Sequence, residues 1–574
     1  MAHPTIAALL VDTLARAGVR RIYGVVGDSL NPISDAIRAQ DTIEWIHVRH
    51  EEAGAFAAGA EAQLSGQLTV CAGSCGPGNL HLINGLYDAH RSGAPVLAIA
   101  AQVPSSEIGT GFFQETHPER LFVECSHYCE LISSPDQMPR VLQTAMQHAI
   151  GRGGVAVVVL PGDVAAQSVP DVSKSHGLAV ARAAVRPADA DLRQLAALLD
   201  AASRVTFLCG IGCAGAHDAV MRLADRVKAP IVHSLRGKES IEPDNPFDVG
   251  MTGLIGMHSG YAAMESCDLL LMLGTDFPYD DWYPAGPKIV QVDIRAERLG
   301  RRSRLDLGLV GDVGDTLSAL LPLVSAKSSR DHLDRALASY TRSRSDLDDI
   351  AHAHEQHRPI HPAYLASLIN AKAAPDAIFT VDVGMSTVWA ARYVRMHTGR
   401  RLLGSFVHGS MANAMSQAIG AKLLYPGRQV IALCGDGGFS MLMGDVLTLL
   451  QHKIALKLVI FNNHALGMVQ LEQAVAGYAN FGVDLVNPNF AKLAEAIGMT
   501  GIRVEDPSAV SDAVDAALRT TGPVLLDVVT DAHVLSMPPH TTFRQAREFS
   551  LYMVKEVLAG NGAELLDYAR ANAP

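Results

Sequence analysis

Asp436 and Asn463 are the residues whose types and spacing most directly suggest chemistry. Asp436 sits in Cys434-Gly435-Asp436-Gly437-Gly438, and Asn463 closes an Asn462-Asn463 pair, 27 positions after Asp436. Each group follows an apolar run that reads as a buried strand, at 429–433 and 456–461, with helical sequence between them. A strand–helix–strand unit of this length forms a right-handed parallel crossover, so both turns fall at the same carboxyl edge of one sheet. The Asp436 carboxylate and the Asn463 amide oxygen are then expected side by side. Two hard oxygens plus a few backbone carbonyls suit Mg²⁺, which keeps its other positions for water and phosphate. Gly437 and Gly438 would let backbone N–H groups approach a diphosphate closely. Taken singly, a Gly-Asp-Gly is a tight turn and an Asn-Asn a loop; the pairing carries the reading.

Together the two turns resemble the metal–diphosphate motif of thiamine-diphosphate (ThDP) enzymes. That chemistry needs a carboxyl group in a largely apolar place, hydrogen-bonded to N1′ of the aminopyrimidine, so that the imino tautomer can remove the thiazolium C2 proton. Burial raises the pKa of such a carboxyl towards working pH. Arg49-His50-Glu51-Glu52-Ala53 runs into a small-residue stretch at 54–60, and Glu51 is expected in this role, with Glu52 pointing elsewhere on the helix. The alternative is a carboxylate that simply pairs with the macrodipole at a helix start. Gly76 lies in a tight glycine turn between a strand end and a helix, either a crossover turn or a wall against the pyrimidine ring. Asp382-Val383-Gly384-Met385-Ser386-Thr387 also follows a strand and opens a helix, where the Gly384 backbone and the Ser386 hydroxyl suit a diphosphate. Ser410 and Met411, in Gly409-Ser410-Met411-Ala412-Asn413, join the cofactor set. Met411 is either a wedge beneath the cofactor or core filling.

The elements that must position these residues fall into three blocks of alternating strand and helix signals, the signature of parallel α/β sheets. The expected class is α/β, with three domains, each a mainly parallel sheet flanked by helices, followed by a tail. The first domain spans 1–170, with strands at 21–27, 67–72, 96–101 and 155–160. A linker at 167–190 leads to a second domain at 190–325, with strands at 205–209, 230–233, 269–273 and 288–294. A polar stretch at 326–358 leads to a third domain at 360–530, and the tail covers 531–574. For 574 residues, three or four domains is also the expectation from length. An apolar content of 48% with 18% charged residues is ample for cores. The net charge of −12 argues against nucleic-acid binding, because no basic stripe exists to meet phosphates. Neither a signal peptide nor an apolar stretch of roughly 18–20 residues is visible, so a cytoplasmic chain is expected. The C-x3-C pairs Cys71/Cys75, Cys125/Cys129 and Cys209/Cys213 lack histidines at zinc-like spacing and read as free thiols.

The second domain holds Gly210-Ile211-Gly212-Cys213-Ala214-Gly215 directly after a strand. An NAD site would want an acidic residue at the end of the next strand, which instead ends at His233-Ser234. Later strand ends offer Gly274, Asp293 and Asp312, and several turns on one sheet edge suit a long dinucleotide. FAD is therefore expected over NAD, with Asp293 and Asp312 accepting from sugar or adenine groups. A purely structural domain is the alternative.

Nearly the whole chain resembles the flavin- and ThDP-dependent pyruvate oxidase group, in particular its quinone-linked pyruvate dehydrogenase branch. The segments that carry the resemblance are His50-Glu51-Glu52, 72–86, Gln114-Glu115-Thr116-His117-Pro118, 250–256, 409–414 and 434–444. The resemblance implies a pyrimidine-binding domain, a central FAD domain and a diphosphate-binding domain, in a homotetramer whose active sites lie between the first domain of one subunit and the third of its neighbour. It implies Mg²⁺ on Asp436, Asn463 and the Ala465 carbonyl, Met411 supporting a bent cofactor, and a substrate pocket of Phe113, Val469 and Glu472. The implied reaction takes pyruvate to acetate and CO₂, with electrons passing through FAD to ubiquinone. Ser416 stands where a proline is usual, which is expected to loosen that helix start, and Met468 replaces a frequent aromatic. In the tail, Phe549, Tyr552, Met553, Val557 and Leu558, continued by Leu565, Leu566 and Tyr568, form an apolar stripe at helical spacing. This implies lipid binding at the cytoplasmic face of the membrane, or else a helix docked on the body. The rival readings are an acetolactate synthase-like carboligase, a phosphate-dependent oxidase using O₂, and a cofactor-binding scaffold without activity.

Overall fold

The computed structural model describes residues 4–169, 178 and 184–534. Among the described residues it contains three six-stranded sheets in which every strand pairing is parallel. The first is built from β1 (Arg21–Gly24), β2 (Glu44–His47), β3 (Thr69–Gly73), β4 (Val96–Gln102), β5 (Tyr128–Leu131) and β6 (Val155–Pro161), in the order β2-β1-β3-β4-β6-β5. The second comprises β7 (Val205–Cys209), β8 (Ile231–His233), β9 (Asp248–Met251), β10 (Leu269–Leu273), β11 (Lys288–Asp293) and β12 (Leu307–Val310), in the order β12-β11-β10-β7-β8-β9. The third comprises β13 (Ile378–Val381), β14 (Arg401–Gly404), β15 (Val430–Gly435), β16 (Lys457–Asn462), β17 (Thr500–Val504) and β18 (Val524–Val529), in the order β14-β13-β15-β16-β18-β17. Helices cover both faces, so central strands such as Val-Ala-Val-Val-Val-Leu-Pro of β6 are buried at every position.

Two topologies are present. The first and third sheets share one strand order, position for position. The middle sheet is wound as in dinucleotide-binding folds, with its order reversing between β7 and β10. In open sheets of this kind a ligand binds outside the carboxyl ends of the strands at such a reversal.

The first and third domains are joined through helices Glu51–Ser65 and Asn413–Leu424, and alanines of both helices sit in one buried cluster. The contact is close enough that a Cβ on Gly420 would fall 2.1 Å from the Ala57 carbonyl oxygen, so only glycine fits there. The stretch expected as a polar joiner at 326–358 contains a 23-residue helix, Asp331–Ala353, which buries His332, Leu333 and Ala336. Ser416 does not loosen its helix: that helix begins at Asn413, and the Ser416 hydroxyl bonds back to the Ala412 carbonyl at 3.3 Å. All eight cysteines are free and seven are buried. Among the described residues no helix is long and apolar enough to cross a membrane. The tail stripe from Phe549 to Tyr568 lies outside the described residues.

Candidate active site

Asp436 is the first residue of a short helix at the end of β15, and it is buried. Its Oδ1 accepts the Gly437 N–H at 2.9 Å and its Oδ2 accepts the Asn487 side-chain amide at 2.7 Å. The same Asn487 nitrogen reaches Asn462 Oδ1 at 2.9 Å, which ties the turn after β15 to the turn after β16. Burial raises the Asp436 pKa, opposed by the Gly437 N–H and Asn487. In the second turn, His464 takes a left-handed conformation and Asn463 Oδ1 accepts the Ala465 N–H at 3.3 Å. An isolated bridge between Ala465 and Asp484 holds that turn from outside.

Both turns line a cleft of about 300 Å³. Gly384, Ser386, Met411, Gly437 and Gly438 line it together with Asp436, Asn463 and Ala465, and Val469 and Glu472 stand on the same wall. Met411 reaches the glycine turn, because a Cβ on Gly437 would come 3.3 Å from its terminal methyl. Ser386 donates its hydroxyl to the Asp382 carbonyl at 2.9 Å. Ser410 does not line the cleft: its hydroxyl accepts from the Asn84 amide at 2.8 Å and donates to the Met411 carbonyl at 2.8 Å. Asn487 lies 51 positions from Asp436, too far along the chain for any local pattern to point to it.

Among the described residues lining this cleft none is Lys, Arg or His. A diphosphate placed here therefore has to be neutralised by a metal ion and backbone N–H groups. A buried carboxylate beside an amide oxygen, with its own charge penalised by burial, is the donor set that a hard divalent ion needs. The residues fit Mg²⁺ and a diphosphate.

Glu51, Gly76 and Phe113 lie elsewhere, on the first domain, and do not line the cleft of their own chain. Glu51 is 6% exposed at the start of its helix, and its Oε2 lies 2.9 Å from His81 Nδ1. The His81 ring stacks on His50, with centroids 4.2 Å apart. Glu52 Oε1 accepts the Asn84 amide at 2.7 Å, while its Oε2 lies 4.0 Å from His50 Nδ1. Gly76 has φ 68°, and a Cβ there would lie 2.7 Å from the Gln114 carbonyl oxygen, so the turn needs glycine. Phe113 is 78% exposed.

At the reversal of the middle sheet, Gly212 donates its N–H to the Gly274 carbonyl at 3.0 Å, and a Cβ on Gly212 would fall 2.6 Å from Gly274 Cα. These glycines let the turns after β7 and β10 cross in contact. Beside them opens a second cleft of about 1000 Å³, walled by all three domains. Asp312 lines it and caps the following helix by accepting the Asp315 N–H at 3.0 Å. Asp293, whose pKa burial raises, turns inward and accepts the Arg295 N–H at 2.9 Å. Arg152, Arg236, Arg295 and Arg401 also line this cleft, and the sequence reading had not singled them out, because they come from three domains. Burial lowers the Arg236 pKa to about 10. The second cleft thus carries arginines alongside Glu239, Asp312 and Asp315, with Arg401 paired to Glu239 at 3.1 Å.

Three domains of this topology, with a cleft at the sheet edge of the third whose described residues fit a metal ion and a diphosphate, match the architecture of a ThDP enzyme. Family models for the thiamine pyrophosphate enzyme N-terminal TPP binding domain, central domain and C-terminal TPP binding domain match residues 4–121, 192–320 and 382–528. The chain belongs to the thiamine pyrophosphate enzyme family. It is 35% identical to the YdaP protein of Bacillus subtilis over 98% of each chain. Identity to the pyruvate oxidase of Lactiplantibacillus plantarum is 32%, over 91% of this chain and 88% of the oxidase. To the acetolactate synthase of Arthrospira platensis it is 31%, over 92% of this chain and 96% of the synthase.

Proposed function

We propose that this ThDP enzyme oxidatively decarboxylates pyruvate to acetate and CO₂ and passes the electrons through FAD to a membrane quinone such as ubiquinone. The observation that carries this reading is the coexistence of two clefts with opposite ways of meeting phosphate charge. The first, without cationic side chains, suits metal-bound ThDP. The second, lined by four arginines at the reversal of the middle sheet, suits the diphosphate of FAD. Bound ThDP supplies the acidic carbon that attacks a 2-oxo acid and stores electrons after decarboxylation. Asp436, Asn463 and the Ala465 carbonyl would hold Mg²⁺, while Gly384, Ser386 and the Gly437–Gly438 backbone receive the diphosphate. Glu51 would hold a proton at N1′ of the aminopyrimidine. Val469 and Glu472 would border the substrate from the third domain and Phe113 from the first.

The separation of Glu51, Gly76 and Phe113 from their own chain's cleft supports an active site shared between two chains, and hence a homo-oligomer such as the homotetramer. Membrane lipid would be met by the tail at the cytoplasmic face.

The test is anaerobic addition of pyruvate to the purified flavoprotein. Bleaching of the flavin with release of acetate is expected. Persistent yellow colour with acetolactate formed would replace this reading by the carboligase, which the synthase relatives also support. Acetyl phosphate formed with phosphate and O₂ would replace the quinone by oxygen as acceptor.

A further inference from the structure

Three separate segments line the diphosphate end of the first cleft: the helix start at 384–386, the turn at 409–411 and the turn at 435–438. All three are tied to one residue that lines none of it, the first through its backbone carbonyl and the other two through its carboxylate. Asp382 follows β13 directly and is 1% exposed. Its backbone carbonyl accepts the hydroxyls of Ser386 at 2.9 Å and Thr387 at 2.6 Å. Its backbone N–H donates to the Leu433 carbonyl of β15 at 3.0 Å. Its carboxylate Oδ1 accepts the Ala414 N–H at 2.9 Å, one turn beyond Met411, where Ala412 is held in the left-handed region. Oδ2 is buried and lies against the glycine turn, since a Cβ on Gly438 would fall 2.5 Å from it.

The geometry points to Asp382 as a positioning residue that sets the Met411 turn against the Asp436–Gly438 turn and so fixes the shape of the diphosphate end of the cleft. It touches neither metal nor cofactor. Its carboxylate anchors the helix that follows Met411, and the missing side chain of Gly438 gives Oδ2 its room. A glycine at 438 is then required by Asp382 beneath the turn as well as by any ligand above it. The inference rests on the reading that this cleft takes the ThDP diphosphate.

The experiment is calorimetric titration of ThDP with Mg²⁺ into the full-length flavoprotein, with flavin content and thermal midpoint recorded alongside. Removing a charged acceptor from buried N–H groups gives an expected loss of roughly ten- to hundredfold in ThDP affinity for Asp382→Ala, with flavin retained. Asp382→Asn keeps an oxygen for the Ala414 N–H and is expected to restore most of that affinity. Gly438→Ala leaves the carboxyl in place and presses a methyl against Oδ2, so it should weaken ThDP binding comparably. Combining it with Asp382→Ala should cost less than the sum of the two losses. Unchanged ThDP affinity in Asp382→Ala or in Gly438→Ala overturns the inference, as does full additivity in the double variant. Loss of flavin and thermal stability in both Asp382 variants alongside ThDP would make Asp382 a general core residue and overturn it too. Asp436→Ala separates the two levels. If it binds ThDP normally, the cleft assignment itself fails; if it loses ThDP while Asp382→Ala does not, the positioning role alone fails.

Discussion

The first and third domains have the same strand order and have divided one task between them. In the third, the turns after β15 and β16 carry Asp436 and Asn463, and among the described residues the cleft they line has no cationic side chain. In the first, the turn after β3 leads to Gly76 and a helix start with no carboxylate, and the acid sits instead on the helix after β2, as Glu51. The topology thus supplies equivalent sheet edges, and on the proposed reading the residues at the turns decide which edge would hold a metal and which a proton. Fold alone does not assign chemistry. The close packing at Gly420 and Ala57 joins the two domains of one chain through their helices.

The most severe way to break this division is Asp436→Ala. It should abolish Mg²⁺-dependent ThDP retention, while flavin absorbance stays at the parental level because the arginine-lined cleft is untouched. Equilibrium dialysis of both cofactors from the same sample checks the two halves. Simultaneous loss of flavin would show that the clefts are not independent.

Glu51→Gln breaks the other half. ThDP should remain bound, and C2 proton exchange should slow by about 10²–10⁴-fold, the usual contribution of a positioned acid–base group. Exchange at the parental rate by NMR would take Glu51 out of its role and move attention to its partner His81.

The comparison is sharpened by combining the two variants. Alone, each is expected to be inactive. In a mixed pair, one site receives both defects and the other receives Glu51 and Asp436 intact, if each site draws on both chains. Co-expression with two tags and purification of the mixed species should recover pyruvate-dependent flavin reduction. A mixed species as inactive as either parent variant would mean that Glu51 and Asp436 serve one site within a single chain.

Much of this arrangement was legible in the sequence wherever a strand is buried on both faces. The runs at 205–209 and 269–273 are the observed β7 and β10 to the residue, because each is a largely apolar run that starts after a charged residue, Arg204 or Asp268, and stops at a glycine. The edge strands were not named: β2, β5 and β12 are half-exposed and carry Glu44, Glu130 and an alternation too short to recognise. β9 is buried throughout, yet contains Asp248 and Gly250, which read as loop. The helix Asp331–Ala353 was hidden by its charged outer face. Pairings between turns within one crossover, such as Asp436 with Asn463, follow from local order. Those assembled from three domains, such as Arg152 with Arg236 and Arg295, have no local signature.

The smallest effect concerns the buried carboxyl beneath the third domain's cleft. Burial raises the Asp382 pKa to about 7, against the opposing N–H groups of Ala414, Gly435 and Asn413. The unfolded chain releases this proton near the ordinary value of about 4. Between those two values the folded state holds a proton that the unfolded state does not, so stability falls as pH rises through the window and levels off above about 7. Asp382→Asn has no proton to lose. Its thermal midpoint relative to the parent, both freed of ThDP, should therefore climb from pH 5 to pH 7 and stay constant from pH 8. Asp88, the buried carboxyl on the first domain's side, has its pKa raised to about 6 by burial, offset by Ser405 and Gln417. It should show the same climb in Asp88→Asn, ending about one pH unit earlier. A midpoint difference that is flat from pH 5 to pH 8 in the Asp382 pair would mean that its carboxylate is ionised throughout, with its charge met by the surrounding N–H groups.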